Sequence, residues 1–188
     1  MNRLLTLFKS IQPISEEEQK FMSNFLFLES FKKGDNYCDK DKVCKKIGFV
    51  LEGVFRVVKI DEKGNEHIPY FTSEGHFAVA IESFTNKTTS DEYIEALTDC
   101  TVITITAEAY DLFEVKVLNF SKIINTLKEK AFIEKHKLKS EMLMDNAEMR
   151  YHKLVARNPT IIQRIAQNHI ALYLGITPFT LSRIRSKK

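Results

Sequence analysis

The chain has 188 residues, of which 44% are hydrophobic and 28% charged, and a formal net charge of +3. That length supports two modest cores or one large one, and the composition is that of a globular protein, not of a disordered or fibrous chain. No apolar run has the length of a membrane span, and the amino terminus lacks the order of charge, apolar core and cleavage site of a secretory signal, so a cytoplasmic protein is expected.

Residues 3 to 12, with Leu4, Leu5, Leu7, Phe8 and Ile11, read as a short amphipathic helix ended by Pro13. Ser15 then caps a second helix whose first turn is Glu16-Glu17-Glu18, acids placed where the helix dipole favours them. From Phe31 the pattern changes to short β-rich pieces between Gly34, Gly48, Gly53, Gly64 and Gly75. Phe49-Val50-Leu51 runs into Glu52-Gly53, Val54 to Ile60 forms a strand, Asp61 to Asn65 turns, and His67 to Phe71 returns. Tyr93 to Ala96 and Thr101 to Thr106 add two strands rich in β-branched residues. Short strands at this spacing predict a small antiparallel roll or barrel. Cys38, Cys44 and Cys100 are too few for a four-thiolate cluster and lack zinc spacing, so no metal is expected and the thiols read as reduced and partly buried.

Between Gly75 and Gly175 there is no glycine, and between Pro69 and Pro159 no proline, which permits a long helix from about Leu118 to Met144. Phe120, Ile124, Leu127, Ala131 and Leu138 recur on it at intervals of three, four and seven. So narrow a stripe suits a partner helix, and a parallel homodimer seam is expected there, with packing on the chain's own roll as the alternative. A further helix, 146 to 157, leads to Asn158-Pro159 and the last segment.

From Gln167 a short helix runs through Leu174, breaks at Gly175 and Ile176, and gives way to a second opened by Thr177-Pro178. Gly175 can take the left-handed conformation that ends a helix, Thr177 can cap the next one, and Pro178 is pre-set for its first turn. Ile170, Ala171, Leu174, Ile176, Leu181 and Ile184 fall where such a pair is glued together, with Ala171 small enough for a close crossing. This is the spacing of a DNA-binding helix-turn-helix. Thr177, Pro178, Phe179, Thr180, Ser182, Arg183, Ser186 and Lys187 are the candidate DNA-binding residues, with Arg185 and Lys188 nearby. This face carries hydroxyls and cations and no acid, which suits phosphates and base edges. Residues 145–188 carry eight Lys or Arg against two acids, whereas residues 1–144 are net −3, so the polyanion partner is expected at the carboxyl end.

The expected architecture is therefore α+β: a roll with flanking helices over residues 1–116, a dimerisation helix over 117–144 and a helix-turn-helix over 145–188. This order resembles the Crp/Fnr family of bacterial transcription regulators. The resemblance rests on Lys33-Gly34-Asp35, Phe49-Val50-Leu51-Glu52-Gly53, Asp61 through Glu66, Ile94-Glu95-Ala96-Leu97, Arg150-Tyr151 and Ile170 to Arg185, and covers nearly the whole chain. It implies a cyclic-nucleotide-binding-like roll of double-stranded β-helix type that senses a signal. It also implies a dimer helix and a terminal module that binds a palindromic double-stranded operator and engages RNA polymerase, with no membrane partner. Half-sites would lie roughly 34 Å apart or in multiples of that.

The departures from the family pattern also carry information. The resemblance places the effector-facing segments at Gly75, His76, Phe77, Lys87, Thr89 and Ser90. Family members that bind cyclic nucleotides use a Gly-Glu pair and an arginine followed by a small hydroxyl residue, because a guanidinium fork meets two phosphate oxygens at once. Here Gly75 is followed by His76 and the arginine's place falls at about Ser90, so cyclic AMP in that pose is not expected and no cofactor is assigned. The Arg-Glu pair often found early in the recognition helix is replaced by Pro178 and Phe179, but Arg183 matches the family's later recognition arginine. The resemblance therefore implies a guanine for Arg183, a phosphate for Thr177 and Thr180 and a thymine methyl for Phe179, and a short form without the family's hairpin wing is expected. Two rival readings remain: a signal-binding module acting through a protein partner, and a cupin-like metal enzyme using His67, His76 and Glu82, which has no His-x-His pair to support it. No catalytic residue is assigned.

Overall fold

The computed structural model describes residues 2–186. Two helices open it, α1 (Asn2–Lys9) and α2 (Glu16–Ser23). The Ser15 hydroxyl accepts from Glu18 N at 3.1 Å while the Glu18 carboxylate accepts from Ser15 N at 2.8 Å, a reciprocal cap that satisfies two free backbone donors. The other oxygen of Glu18 accepts from Leu118 N at 2.8 Å, and Asn119 donates to the Pro13 carbonyl at 2.9 Å, so these helices are tied to the start of the long helix.

The roll follows as β1 (Phe27–Phe31), β2 (Asn36–Cys38), β3 (Lys46–Glu52), β4 (Phe55–Ile60), β5 (Glu66–Thr72), β6 (Phe77–Ala78), α3 (Ile81–Asn86), β7 (Glu92–Ala96) and β8 (Cys100–Thr106). Its strands form two antiparallel sheets among the described residues, in the orders β1-β8-β3-β6 and β2-β7-β4-β5. Aromatic and branched side chains from both fill the space between, with Phe55, Val57, Ile94, Val102 and Ile105 essentially out of contact with water. Gly53 stands at φ +105°, and a Cβ there would lie 2.3 Å from the Cys100 sulfur, so the turn after β3 has room for glycine alone.

The sequence PHE-ARG-VAL-VAL of β4 does not alternate, and the structure gives the reason: both faces of the strand are covered. Phe55 and Val57 point into the roll, whereas Val54 and Val58 join Ile68 and Leu97 under the carboxyl-terminal helices. Arg56 shares that outer face and is held by Glu95 at 2.6 Å and Glu66 at 2.9 Å. Pro69 is accommodated because β5 is an edge strand.

Helix α4 (Ala107–Lys116), capped by Thr106, leads to α5 (Phe120–Met144), which at 1.5 Å per residue is about 37 Å long. The first residues of the expected dimer stripe pack on the chain's own roll. Phe120 is 0% exposed, its ring edge-on to Tyr110 at 5.3 Å and Phe113 at 5.5 Å, and Ile123, Ile124 and Leu127 pack on the same core. That stripe therefore seats α5 on its own roll, with Leu138 half-buried farther along and Ala131 exposed. The opposite side carries Phe132 at 70% exposure, Ile133, His136, Leu143 at 79% and Met144. Periodicity marks the helix, but it does not say that Phe120, Ile124 and Leu127 turn toward the roll while a second apolar side stays exposed.

Helices α6 (Ala147–Arg157), α7 (Ile161–Arg164), α8 (Gln167–Leu174) and α9 (Pro178–Ser186) complete the chain. Leu154, Ile161, Ile170, Ala171, Leu174 and Leu181 form a second core, continuous with the outer face of β4 and β5. Among the described residues no helix is long and apolar enough to cross a membrane.

Candidate nucleic-acid interface and effector cavity

Helix α8 ends in a Schellman arrangement: Gly175 at φ +65° donates to the Leu172 carbonyl at 3.1 Å, and Ile176 N donates to the Ala171 carbonyl at 3.0 Å. Two residues on, the Thr177 hydroxyl accepts from Thr180 N at 3.1 Å and lies 3.0 Å from the Thr180 hydroxyl. Ala171, Leu181 and Ile184 are buried at the crossing of α8 and α9. The turn is thus closed by local hydrogen bonds and a small residue, and the outward face of α9 is fixed relative to the rest of the chain.

That face exposes Pro178, Phe179, Ser182, Arg183, Arg185 and Ser186, with Thr180 half-buried; Lys187 and Lys188 lie outside the described residues. Phe179 is 73% exposed. Thr177 and Thr180 spend hydroxyl capacity on capping one another, and Ser186 donates to the Arg183 carbonyl at 3.0 Å. Arg183 borders a cleft of about 280 Å³ shared with Asn146, Glu148 and Thr180, at the start of α6.

Arg150 and Arg164 add to the second core in anchoring this module. Arg150 donates to the Met142 carbonyl at 3.0 Å and to the Leu174 carbonyl at 2.8 Å, so one guanidinium joins the ends of α5 and α8. Arg164 makes a two-pronged pair with Glu74 at 2.8 and 3.1 Å, and Glu74 also accepts from Gly53 N at 2.8 Å. Burial pushes the Glu74 carboxyl up, but Arg164 and the Gly53 amide outweigh it and hold the group below its ordinary value.

A second site lies on the roll. A cavity of about 380 Å³ opens between β5, the start of α3, the segment before β7 and α5, with Tyr70, Glu82, Asp91, Glu92 and Lys135 on its walls. Of the expected effector residues it takes in Thr89 and Ser90 only. Gly75 is bonded to the Val50 carbonyl, the Phe77 ring packs against Phe49 at 5.2 Å, and Lys87 caps α3 beside Asp111, so these three stand elsewhere, as does His76. Ser90 is closed on itself: its hydroxyl donates to the Glu92 carbonyl at 2.7 Å and accepts from Glu92 N at 3.2 Å. No arginine borders the cavity among the described residues. Sequence reasoning missed Lys59, Tyr70, Asp91, Glu92 and Lys135, which come from distant elements and share no motif.

His67 pairs with Asp61 at 3.1 Å and His76 with the Glu74 carbonyl at 3.2 Å, and among the described residues no group of three or more His, Cys, Asp or Glu is placed to hold a metal. The three cysteines are free and buried.

A cyclic-nucleotide-binding type of roll, followed by a long helix and a helix-turn-helix, is the class that these features define, and residues 28–113 match the family model of the cyclic nucleotide-binding domain. The chain as a whole has the fold of Crp/Fnr family regulators. It is similar to FixK2 from Bradyrhizobium japonicum (16% identity, TM-score 0.73, covering 86% of this chain and 83% of that one). It is also similar to a protein from Eubacterium rectale described as a transcriptional regulator of the Crp/Fnr family (18%, TM-score 0.71, 91% and 82%). A third similar structure is the c-di-GMP responsive global regulator CLP of Xanthomonas campestris (13%, TM-score 0.69, 90% and 88%). No curated protein matches the chain in sequence.

Proposed function

We propose that the protein is a sequence-specific, double-stranded DNA-binding transcriptional regulator of the Crp/Fnr type that acts as a homodimer and through binding, not catalysis. The observation that carries this reading is the outward face of α9, which presents hydroxyls, an aromatic ring and two arginines with no acid, on a turn locked by Gly175 and Thr177. Arg183 reads a base edge, Arg185 meets a phosphate, and the backbone of α9's first turn approaches the duplex. The dimer forms along the outer side of α5, through Phe132, Ile133, His136 and Leu143 and not through the stripe that begins at Phe120. Arg150 passes movements at the end of α5 directly to α8. DNA bound in this way would recruit or block RNA polymerase.

Selection of bound sequences from a random duplex pool, at moderate salt and without added ligand, tests the proposal. A two-fold symmetric motif whose affinity falls steeply with salt is expected, since each phosphate contact releases counterions. Absence of enrichment together with salt-insensitive or undetectable duplex binding would refute it and favour a protein partner for α9.

A further inference from the structure

The cavity on the roll has a size typical of small-molecule sites, at about 380 Å³, but its charges suit a cation. Three carboxylates, Glu82, Asp91 and Glu92, share its walls with two lysines. Lys59 is already engaged by Asp91 at 2.8 Å. Lys135 reaches in from α5 and sets its ammonium 4.0 Å from the centre of the Tyr70 ring, so an aromatic seat for an amine is present and is filled by the chain itself.

Glu92 is the second independent observation. The residue is only 8% exposed, it borders the cavity, and its carboxylate makes no hydrogen bond among the described residues; the nearest cation is the Lys59 ammonium at 4.0 Å. Burial raises the pKa of Glu92 against the pull of Lys59 and Lys135, and loss of water at the cavity lowers that of Lys135 against the pull of Glu92 and Glu134. A cyclic phosphate entering here would meet three acids, no guanidinium, and two ammonium groups already set against Asp91 and the Tyr70 ring. A bare metal ion would find an aromatic wall and, among the described residues, no group of three or more carboxylate, imidazole or thiol ligands placed to hold it. An organic ammonium satisfies both features at once: its N–H groups donate to the Glu92 carboxylate, its charge lies on the Tyr70 face, and its carbon chain runs along Pro69 and Ile81.

We propose that this cavity binds a small aliphatic primary amine or diamine, seated between Tyr70 and Glu92 in competition with the Lys135 side chain. The inference rests on the roll being the sensing half of the regulator. Displacing Lys135 loosens one contact between α5 and the roll, on the helix whose opposite side is the dimer face, which gives the ligand a route to the DNA-binding module.

Calorimetric titration of the full chain with 1,4-diaminobutane tests it, with cyclic AMP as the counter-probe. Saturable binding of the diamine is expected, weakened at least about tenfold in Glu92→Gln, which keeps size and removes charge. Lys135→Ala should tighten it several-fold, because the tethered competitor is gone. No diamine binding by either wild type or Lys135→Ala would overturn the proposal, as would an affinity that both substitutions leave unchanged. Cyclic AMP binding that Lys135→Ala abolishes would overturn it too, by making Lys135 an anion ligand. Duplex binding is measured on the same preparations: amine binding lost with DNA binding retained refutes the cavity assignment alone, and the reverse refutes the regulator reading alone.

Discussion

Phe132 separates the two faces of α5 in a single measurement. In the monomer its ring is 70% exposed, so truncating it to alanine removes little packing and should leave the thermal midpoint of the isolated chain nearly unchanged. A buried phenylalanine covers about 150–250 Å², so roughly 100–175 Å² remains available to a partner. If a helix seam covers about half of that, each copy contributes about 1–2 kcal/mol at 25 cal/mol per Å². Two copies per dimer then amount to about 3–4 kcal/mol, or a dissociation constant weaker by about 10²–10³-fold. Sedimentation equilibrium over a wide concentration range reads this directly. Leu127→Asp is the control: Leu127 packs on the roll, so its charge should unfold the chain instead of dissociating a folded dimer. A Phe132→Ala protein that associates like wild type, while remaining folded, would refute placing the seam on this side.

Two further outcomes are expected. Arg183→Ala should cost about 1–3 kcal/mol on the selected operator and little on random duplex, as measured by competition binding; equal losses on both would remove Arg183 from base reading. For Glu74, whose folded pKa lies below its ordinary 4.5, the contribution to stability is present above that value and is lost as pH falls through the lower folded value. Denaturant melts from pH 6 to pH 3 should therefore show wild type losing more stability on acidification than Glu74→Gln, and parallel curves would contradict the Arg164 pairing as the cause.

The helix-turn-helix was legible because its signals are local. Gly175 ends α8, Thr177 and Pro178 begin α9, and Ala171 sits at the crossing, all within a few residues of one another. The capping box of α2 was legible for the same reason. Strand β1 was not: as an edge strand it leaves Phe27 and Leu28 exposed and carries no alternating pattern. Nor were α3, which opens without a side-chain cap, and the two-residue β6. The long helix was found, but which of its sides meets the roll depends on Phe8, Tyr110 and Phe113, residues far away in sequence. The cavity was the least legible part, since Lys59, Tyr70, Glu92 and Lys135 meet only after β4, β5, β7 and α5 have assembled.

The two-sided use of the Glu18 carboxylate has a topological consequence. By accepting from Ser15 N and from Leu118 N, it brings together points 100 residues apart, one just before the roll and one just after it. The roll therefore enters and leaves the molecule at a single corner, like a cassette plugged into one socket. The long helix begins at that same corner, and it is held to the roll at other points as well, by Phe120, Ile124 and Leu127 on the roll core and by the pairing of Arg164 with Glu74 across to the carboxyl-terminal helices.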